Sequence, residues 1–456
     1  MKYIDSPVIK LFIVDNKYYM YDPIKNIILQ ITKMHYNEIL ELQEIGISNY
    51  LSNKKQNIYY HDIISLFKKG FFRDYTVIDI KHQSDEILDT LINRFSQDLI
   101  LQVTQDCNFK CRYCLFANDT HVERHHNKIN MEFEIAQKAI DYLYNHSMDA
   151  DVITIGFYGG EPLLNYQLIQ KATEYVKNKF QLKKIKFLTT INGSLLTDKI
   201  IDFLVENDFE LNISLDGDKE YQDAHRKFAI NGKNTFEIVK ANVIKIKNKN
   251  LEYFENNVTF NSVIFNDENE EKVYSFFNSL GIHKDRVSII SANLNGIDYF
   301  SSPTLLFLEN KIDNVKESSK FETFLKKMDT NRVIPEVDHP NGQCVPGVRR
   351  LYVTINGDLF PCEKIVENTA FCMGNINNDF IDIEKARKIL NSAKISETYC
   401  KKCWAFRFCE MCISHSLSVS SNGFSQETKL LHCDRQKKEI LDKMKLYVQF
   451  NGGKEI

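Results

Sequence analysis

Residues 99–114 read LILQVTQDCNFKCRYC, and they join a predicted buried strand directly to three closely spaced cysteines. The run Leu99–Thr104 is short, apolar and followed by a loop, which favours a β-strand. Cys107, Cys111 and Cys114 lie on that loop, where three sulfurs can converge on one metal centre. Soft thiolates select iron–sulfur clusters or zinc. A structural zinc ion takes four protein ligands, and no fourth Cys or His follows at the usual short spacing. The stretch therefore favours an iron–sulfur cluster with one open iron, with half a zinc site or a chance group of cysteines as alternatives.

Length and composition describe a globular chain with room for several domains. The sequence has 456 residues, of which 43% are hydrophobic and 26% charged, and its net charge is −3. This balance implies no nucleic-acid partner, and no apolar run approaches the length of a membrane-spanning helix. Eleven cysteines without a secretory leader predict a cytoplasmic location, where closely spaced cysteines bind metal rather than form disulfides.

Strand and helix patterns alternate from Leu99 to about Ala292. The predicted strands are Leu99–Thr104, Val152–Phe157, Ile185–Thr190, Glu210–Leu215, Val258–Phe265 and Arg286–Ser291. The helices predicted between them are Met131–Tyr144, Asn165–Phe180, Asp198–Val205, Phe236–Lys247 and Glu270–Leu280. This alternation indicates an α/β fold with a parallel sheet and right-handed crossovers. Ligand-binding groups are then expected at the carboxyl ends of the strands.

Further motifs stand where three of these strands end. The second strand runs into Gly159-Gly160-Glu161-Pro162, the third ends in Thr189-Thr190-Ile191-Asn192-Gly193, and the fourth ends in Ser214-Leu215-Asp216-Gly217. Glycines permit a close backbone approach to a ligand, and Glu161 offers a carboxylate. Arg226 suits a bidentate contact with a carboxylate, and a plain surface position is the alternative for it.

A second group of cysteines stands near the end of the sequence. Twelve residues separate Cys344 from Gly357, and four separate Gly357 from Cys362. Asn356-Gly357 is a strong hairpin signal, and a hairpin can bring two thiols at its ends together. The spacing Cys400-x2-Cys403-x5-Cys409-x2-Cys412 follows, and Cys433 comes after twenty intervening residues. Two CxxC pairs alone would fit a zinc ribbon, but the additional cysteines favour iron–sulfur clusters.

The CxxxCxxC spacing, the GGEP turn and the SLDG segment together resemble radical S-adenosylmethionine (SAM) enzymes. The resemblance implies a partial (β/α)6 TIM-like barrel in which Cys107, Cys111 and Cys114 hold a [4Fe–4S] cluster that binds SAM. It also implies SAM contacts from Tyr113, Gly159, Gly160, Glu161, Pro162, Asn192, Ser214, Asp216 and Arg226. Residues 189–193 carry one Ile more than the family's TTNG segment.

The C-terminal cysteines resemble the SPASM extension, which holds two auxiliary [4Fe–4S] clusters. The resemblance assigns Cys400, Cys403, Cys409 and Cys433 to the distal cluster and Cys344, Cys362 and Cys412 to the proximal one. The family spacing has three residues before the last cysteine of the quartet, where this chain has two. The proximal set lacks a fourth thiolate, so either another group completes it or one iron stays open for a substrate thiolate. Cys372 is interpreted as a buried free cysteine, with a fourth ligand as the alternative.

The first part of the chain resembles a winged-helix peptide-recognition domain. Three β-rich runs, Val8–Val14, Lys17–Tyr21 and Asn26–Ile31, precede amphipathic patterns at Tyr36–Leu42 and His61–Phe67. Such a domain would bind a leader peptide as an added strand at a sheet edge. A structural cap on the next domain is the alternative.

These resemblances predict a peptide maturase of the sactipeptide or ranthipeptide type, which forms thioether links from a Cys sulfur to a carbon. The implied partners are a Cys-containing precursor peptide with a leader and a reductant such as ferredoxin or flavodoxin. The implied cofactors are three [4Fe–4S] clusters and SAM. One alternative is an anaerobic sulfatase maturase that makes formylglycine, in which Glu363, next to Cys362, would be the catalytic base; a solvated turn residue is the other interpretation of Glu363. A non-catalytic iron–sulfur protein is the alternative of another class.

The predicted organisation has five parts. They are a winged-helix-like leader-recognition domain at 1–75, a linker at 76–97, the radical SAM partial barrel at 98–300, a bridge at 301–340, and a SPASM domain with a C-terminal helix at 341–456.

Overall fold

The computed structural model describes most of the chain. The described residues are 7–53, 58–73, 77–114, 116–117, 125–265, 269–291, 319–329, 334–340, 344–365, 367–378, 380–418, 423–452 and 454–455. The predicted bridge at 301–340 is therefore described only from residue 319 onward, and its first part lies outside the described residues.

The N-terminal part contains a small antiparallel sheet followed by helices. Its elements are β1 (Lys10–Val14), β2 (Lys17–Asp22), β3 (Ile27–Ile31), α1 (Lys33–Ile45), α2 (Ile47–Asn53) and α3 (Tyr60–Lys68). Asp15 and Asn16 both have positive φ, which is the backbone of a tight β1–β2 hairpin turn. The Thr32 side chain accepts a hydrogen bond from His35 N and so starts α1. The three strands and later helices agree with the pattern predicted for this part, whereas the identity of the unit as a winged-helix domain remains a prediction.

Alternating strands and helices follow, as the sequence predicts. Their bounds are β4 (Asp79–Ile80), α4 (Leu88–Arg94), β5 (Asp98–Thr104), β6 (Phe109–Cys111), α5 (Phe133–His146), β7 (Val152–Gly159), α6 (Tyr166–Lys179), β8 (Lys184–Ile191), α7 (Asp198–Glu206), β9 (Phe209–Ser214), α8 (Lys219–His225), β10 (Arg226–Phe228), α9 (Phe236–Lys249), α10 (Leu251–Asn257), β11 (Val258–Ile264), α11 (Glu270–Ser279) and β12 (Val287–Ser291). The strands β5, β7, β8, β9, β11 and β12 are parallel neighbours in that order, as in a partial barrel.

The two faces of this parallel sheet differ in polarity. An added Cβ on Gly193 would contact Ile213 of β9 and Val239 of α9, so the buried apolar side chains of β9 face the helices. The opposite face, here called the concave face, carries Tyr158, Thr190, Asn212 and Ser214, which are partly exposed, together with Gln102, which is fully buried. A polar concave face with strand ends directed to one side is an arrangement suited to binding a polar ligand.

The C-terminal part extends the same sheet. Its elements are α12 (Ser319–Met328), β13 (Val337–Asp338), β14 (Leu351–Val353), β15 (Asp358–Phe360), β16 (Gly374–Asn375), β17 (Phe380–Ile381), α13 (Ile383–Leu390), α14 (Glu397–Cys400), β18 (Leu417–Ser418), β19 (Gly423–Phe424), α15 (Gln426–Asn451) and β20 (Lys454–Glu455). The predicted hairpin is β14–β15, with Gly357 at φ 86° in its turn. β14 pairs in parallel with β5, so the hairpin lies beside the first barrel strand.

The N-terminal sheet has a fourth member from the far end of the sequence. β20 pairs in parallel with β3, in register Lys454 with Leu29 and Glu455 with Gln30. The sheet order is therefore β1-β2-β3-β20, and the edge of β3 is partly covered by the chain itself. Across the described residues, no helix is both long and apolar enough to cross a bilayer.

Candidate active site at the mouth of the barrel

Cys107, Cys111 and Cys114 lie on the loop that leaves the carboxyl end of β5. β6 forms part of this loop and pairs antiparallel with β10, which sets Cys111 opposite Arg226. Burial raises the pKa of the Cys107 thiol and raises the pKa of Cys111 to about 12, and the neighbouring thiols of the group raise both further. These thiols would stay protonated near neutral pH without a metal, whereas a coordinated thiol is deprotonated.

The donor atoms of this loop fit the cluster that the resemblance implies. The donors are three soft sulfurs on one loop, which suits an iron–sulfur cluster. Within the described ranges, no three His, Cys, Asp or Glu side chains converge as the ligands of a single metal ion would. A cluster spreads its ligands over several iron atoms, so more widely spaced thiols fit it better than they fit one zinc ion.

A buried ion pair supports this loop from the end of β9. Arg226 Nε donates to Asp216 Oδ2 at 3.0 Å, and Tyr113 Oη donates to the same oxygen at 2.7 Å. Val263 N donates to Asp216 Oδ1 at 3.1 Å. Arg226 is only 7% exposed, so the surface interpretation of this residue is wrong. One hydrogen-bonded group thus contains Tyr113, Asp216 and Arg226. Residues that all contact SAM must lie close together, and these three do.

The glycine turn after β7 packs against the thiol loop. A Cβ on Gly160 would lie 2.2 Å from Asp106 O and 2.9 Å from Cys107 Cβ, and a Cβ on Gly159 would lie 2.2 Å from Thr104 O. The sequence suggested that these glycines admit a ligand. In the structure their immediate role is to let two loops approach each other, which fixes the position of Cys107.

Glu161 is turned inward. Its Oε2 accepts from Asn192 N at 2.6 Å and its Oε1 accepts from Leu163 N at 3.1 Å. Burial raises the pKa of Glu161 to about 7, against the opposing effect of these backbone donors. The side chain therefore ties the GGEP turn to the end of β8, and Pro162 begins the short helical turn that follows it. The described contacts of this carboxylate are all internal.

Two residues that the sequence analysis did not single out connect Asn192 to the thiol loop. Asn192 Nδ2 donates to Asn108 Oδ1 at 2.7 Å, and Asn108 Nδ2 donates to Ser194 Oγ at 2.9 Å. The extra Ile191 belongs to β8 and is buried, so Asn192 still reaches the site. Ser214 is half-buried on the concave face at the end of β9. His126 is a further neighbour, with Nε2 3.8 Å from Cys114 Sγ.

Cys344, Cys362 and Cys412 form a second group beside the barrel. Burial and the nearby Cys412 thiol raise the pKa of Cys344, and burial raises the pKa of Cys362 to about 12, with further contributions from Glu363 and Cys412. The segment after Cys344 is attached to the barrel, because Ser96 Oγ donates to Gly347 O and Gln97 N donates to Val348 O. Cys372 is placed differently, since its thiol donates to Gly374 O at 3.2 Å.

Glu363 is held beside this second group. Arg350 Nη1 donates to Glu363 Oε1 at 2.8 Å, while Glu363 Oε2 is buried and has no hydrogen-bond partner among the described residues. The side chain is 14% exposed, so it is not a solvated turn residue. A different carboxylate, Glu367, accepts from Tyr352 Oη at 2.8 Å and from Gln102 of the concave face. No local pattern in the sequence pointed to Glu367, because its partner Gln102 is 265 positions away.

Cys400, Cys403, Cys409 and Cys433 form a third group. Burial raises the pKa of Cys403 to about 11, with the Cys400 and Cys433 thiols raising it further. Burial raises the pKa of Cys409 to about 12, and the thiols of Cys403 and Cys400 add to that effect. Electrostatic interactions therefore connect the ten cysteines within sets of three, three and four, and their roles as cluster ligands remain a prediction.

Comparison with known families finds matches in two parts of the chain. Residues 101–280 match the radical SAM superfamily model, and residues 344–404 match the SPASM model, described as an iron-sulfur cluster-binding domain. The chain thus carries a radical SAM domain and a SPASM domain.

Three relatives and one solved structure are similar to this chain. An uncharacterized protein of Methanocaldococcus jannaschii is 35% identical over 36% of this chain and 57% of its own length. The serine-type anaerobic sulfatase-maturating enzyme of Bacteroides thetaiotaomicron is 30% identical over 39% of this chain and 42% of its own. The cysteine-type enzyme of Clostridium perfringens is 24% identical over 68% of this chain and 87% of its own. A structure of anSMEcpe with bound AdoMet has a TM-score of 0.56, 22% identity, and covers 76% of this chain and 96% of that one.

The first two relatives match this chain over only part of their own length. The chain spans about half the length of the first two relatives. The likeness to the solved structure shows a shared fold over 76% of this chain.

Proposed function

We propose that this chain is a radical SAM enzyme that oxidises a residue in a peptide or protein substrate. The observation that carries the proposal is the grouping of the thiols, with one set of three at the barrel mouth and two sets in the C-terminal part. Cys107, Cys111 and Cys114 would hold a [4Fe–4S] cluster, which would supply an open iron for SAM and the electron for its reductive cleavage. The two C-terminal sets of thiols would hold the two auxiliary clusters.

The chain's own residues position and shield this chemistry. The Asp216–Arg226 pair and Tyr113 fix one side of the thiol loop, and the Gly159-Gly160 turn fixes the other. We assign the backbone of that turn and Asn192 to SAM, and the Glu161 carboxylate holds the two together by accepting from Asn192 N and Leu163 N. The buried strands and helices around them exclude water from the closed side of the barrel.

The substrate residue is assigned to the concave face, next to the β14–β15 hairpin. Tyr158 and Ser214 offer polar contacts there, and Glu363 lies beside the proximal thiols. In this proposal Glu363 Oε2 takes up a proton from the substrate, while Arg350 holds the carboxylate in place through Oε1.

Formylglycine formation is the first candidate product. It is supported by the serine-type and cysteine-type anaerobic sulfatase-maturating enzymes among the relatives. An acidic residue directly after Cys362 is also what the resemblance to those enzymes leads one to expect. The substrate would then be a serine or cysteine in a protein that this chain modifies.

Thioether formation is the second candidate, and one observation favours it. The proximal set contains three thiols, and Cys372, the remaining cysteine, directs its thiol to Gly374 O. A substrate cysteine would complete such a set as its fourth sulfur. A precursor peptide with a leader would be the substrate, and the N-terminal unit would recognise the leader by strand addition. In that case the leader displaces β20 from the edge of β3.

One set of measurements separates these possibilities. The anaerobically reconstituted chain is given SAM and dithionite, and 5′-deoxyadenosine is measured; its absence would contradict the radical SAM proposal. Serine-containing, cysteine-containing and Cys-rich peptides are then incubated with the enzyme and analysed by mass spectrometry. Formylglycine reacts with an aldehyde probe. A thioether lowers the peptide mass by two hydrogens, and the linked cysteine resists thiol alkylation.

A further inference from the structure

A buried lysine lies beside the third thiol group. Lys429, on the first turn of α15, is 1% exposed, and its Nζ lies 3.9 Å from Cys400 Sγ. Its backbone carbonyl is also 3.5 Å from Cys433 Sγ. The positive charge of Lys429 lowers the pKa of Cys409 and of Cys433, opposing the larger effect of burial.

The ammonium group has no carboxylate partner among the residues that the structure describes, and its one described side-chain contact is with Cys400. Burying an unpaired charge is costly, and such charges are normally paired in proteins. The four cysteine sulfurs are the groups at hand that can carry the opposite charge, and they carry it as thiolates bound to metal. The lysine and the quartet are therefore complementary only when the quartet is anionic.

The same sulfur has a second polar neighbour. Ser396 Oγ lies 3.3 Å from Cys400 Sγ, and Ser396 is fully buried. Lys437 also lowers the pKa of Cys403 and Cys433, but it is only half-buried, and the exposed Asp434 acts on Cys433 in the opposite direction. Lys429 is thus the cation that is shielded from solvent at this group.

We propose that Lys429 is the counter-charge of the distal iron–sulfur cluster and raises its reduction potential. The proposal rests on the proposed function, because it requires the quartet to hold a cluster. Reduction potentials of such clusters depend on net charge, on hydrogen bonds to the sulfurs and on solvent exposure. One-electron reduction adds one negative charge to the cluster. A buried cation stabilises that reduced form more than the oxidised form, so removing it makes the potential more negative.

The test uses the whole reconstituted chain in which Cys107, Cys111 and Cys114 are replaced by alanine, so that only the auxiliary clusters remain. Lys429→Met removes the charge, Lys429→Gln keeps a hydrogen-bond donor without the charge, and Lys429→Arg keeps the charge. Lys438→Met is the matched control, because it removes the same charge from an exposed position on the same helix. Potentials come from redox titrations monitored by electron paramagnetic resonance, and bound iron is measured in each variant.

We expect Lys429→Met and Lys429→Gln to shift one auxiliary transition to a more negative potential, namely the transition that Cys409→Ala abolishes. Lys429→Arg and Lys438→Met should leave that transition near its original potential. Loss of distal iron in both neutral variants, with retention in Lys429→Arg, would also support the counter-charge. Retained iron with an unchanged potential in the neutral variants would overturn the proposal. Zinc or no metal in the quartet of the parent chain would instead contradict the proposed function.

Discussion

Gly160→Ala provides the sharpest test of how the two loops at the barrel mouth position the cysteines. The new Cβ would lie 2.2 Å from Asp106 O, whereas a close carbon–oxygen contact is about 3.3 Å, so one loop must retreat by about 1 Å. The obstacle is backbone, and it directly precedes Cys107, so no side chain can simply rotate away. Overpacking of this kind costs about 1–3 kcal/mol of stability.

A displacement of that size should affect the reaction more than the fold. A 1 Å misplacement of reacting groups lowers a rate by roughly 100-fold, and we expect a loss of this order in 5′-deoxyadenosine formation by Gly160→Ala. The assay is anaerobic SAM cleavage with dithionite, with iron content and thermal unfolding measured in parallel. Gly232→Ala is the control, because it has nothing within 4 Å of the new Cβ and a positive φ, so it costs about 1–2 kcal/mol of backbone strain away from the site. SAM cleavage at the normal rate in Gly160→Ala would refute the idea that loop contact positions Cys107.

Three further outcomes are expected. Arg226→Met leaves the buried Asp216 carboxylate without its cation, so it should lower the free energy of unfolding by about 3–5 kcal/mol, as measured by urea unfolding. Adding Asp216→Asn should recover part of that loss. Equal stability of Arg226→Met and the parent chain would contradict the buried ion pair. Deleting residues 452–456 removes β20 and exposes the edge of β3. If displacing β20 costs about 0.5–1.4 kcal/mol, the deletion should tighten the binding of a leader peptide about 2- to 10-fold, as measured by fluorescence anisotropy. Weaker binding would argue against strand addition at this edge. Cys362→Ala should lower the bound iron and the yield of modified peptide but leave 5′-deoxyadenosine formation largely intact. Loss of SAM cleavage in this variant would contradict the assignment of Cys362 to the proximal cluster.

The sequence could predict the elements that depend on local pattern. The strands β5, β7, β8, β9, β11 and β12 lie within two residues of the predicted ones, because buried parallel strands are short apolar runs bounded by loops. The division of the cysteines into three sets was instead implied by the resemblance to radical SAM and SPASM sequences, because spacing alone left a zinc ribbon open for the quartet.

Local patterns could not predict contacts between residues that are far apart in the sequence. The parallel pairing of β14 with β5 joins residues about 250 positions apart, and no local signal encodes it. The same holds for Asp216 as the partner of Arg226, for Arg350 as the partner of Glu363, and for the pairing of β20 with β3. A charged residue looks alike in sequence whether it ends in solvent or in a buried pair.

The attachment of β14 to β5 has a consequence for electron transfer. Cys107 follows β5, and Cys362 follows the hairpin that begins with β14, so the two thiol groups leave neighbouring strands of one hydrogen-bonded sheet. Separating these strands would break the hydrogen bonds that pair β14 with β5. In the proposed enzyme this sheet would set the distance that an electron crosses between the barrel mouth and the proximal thiols, and we expect substrate entry to leave that distance unchanged.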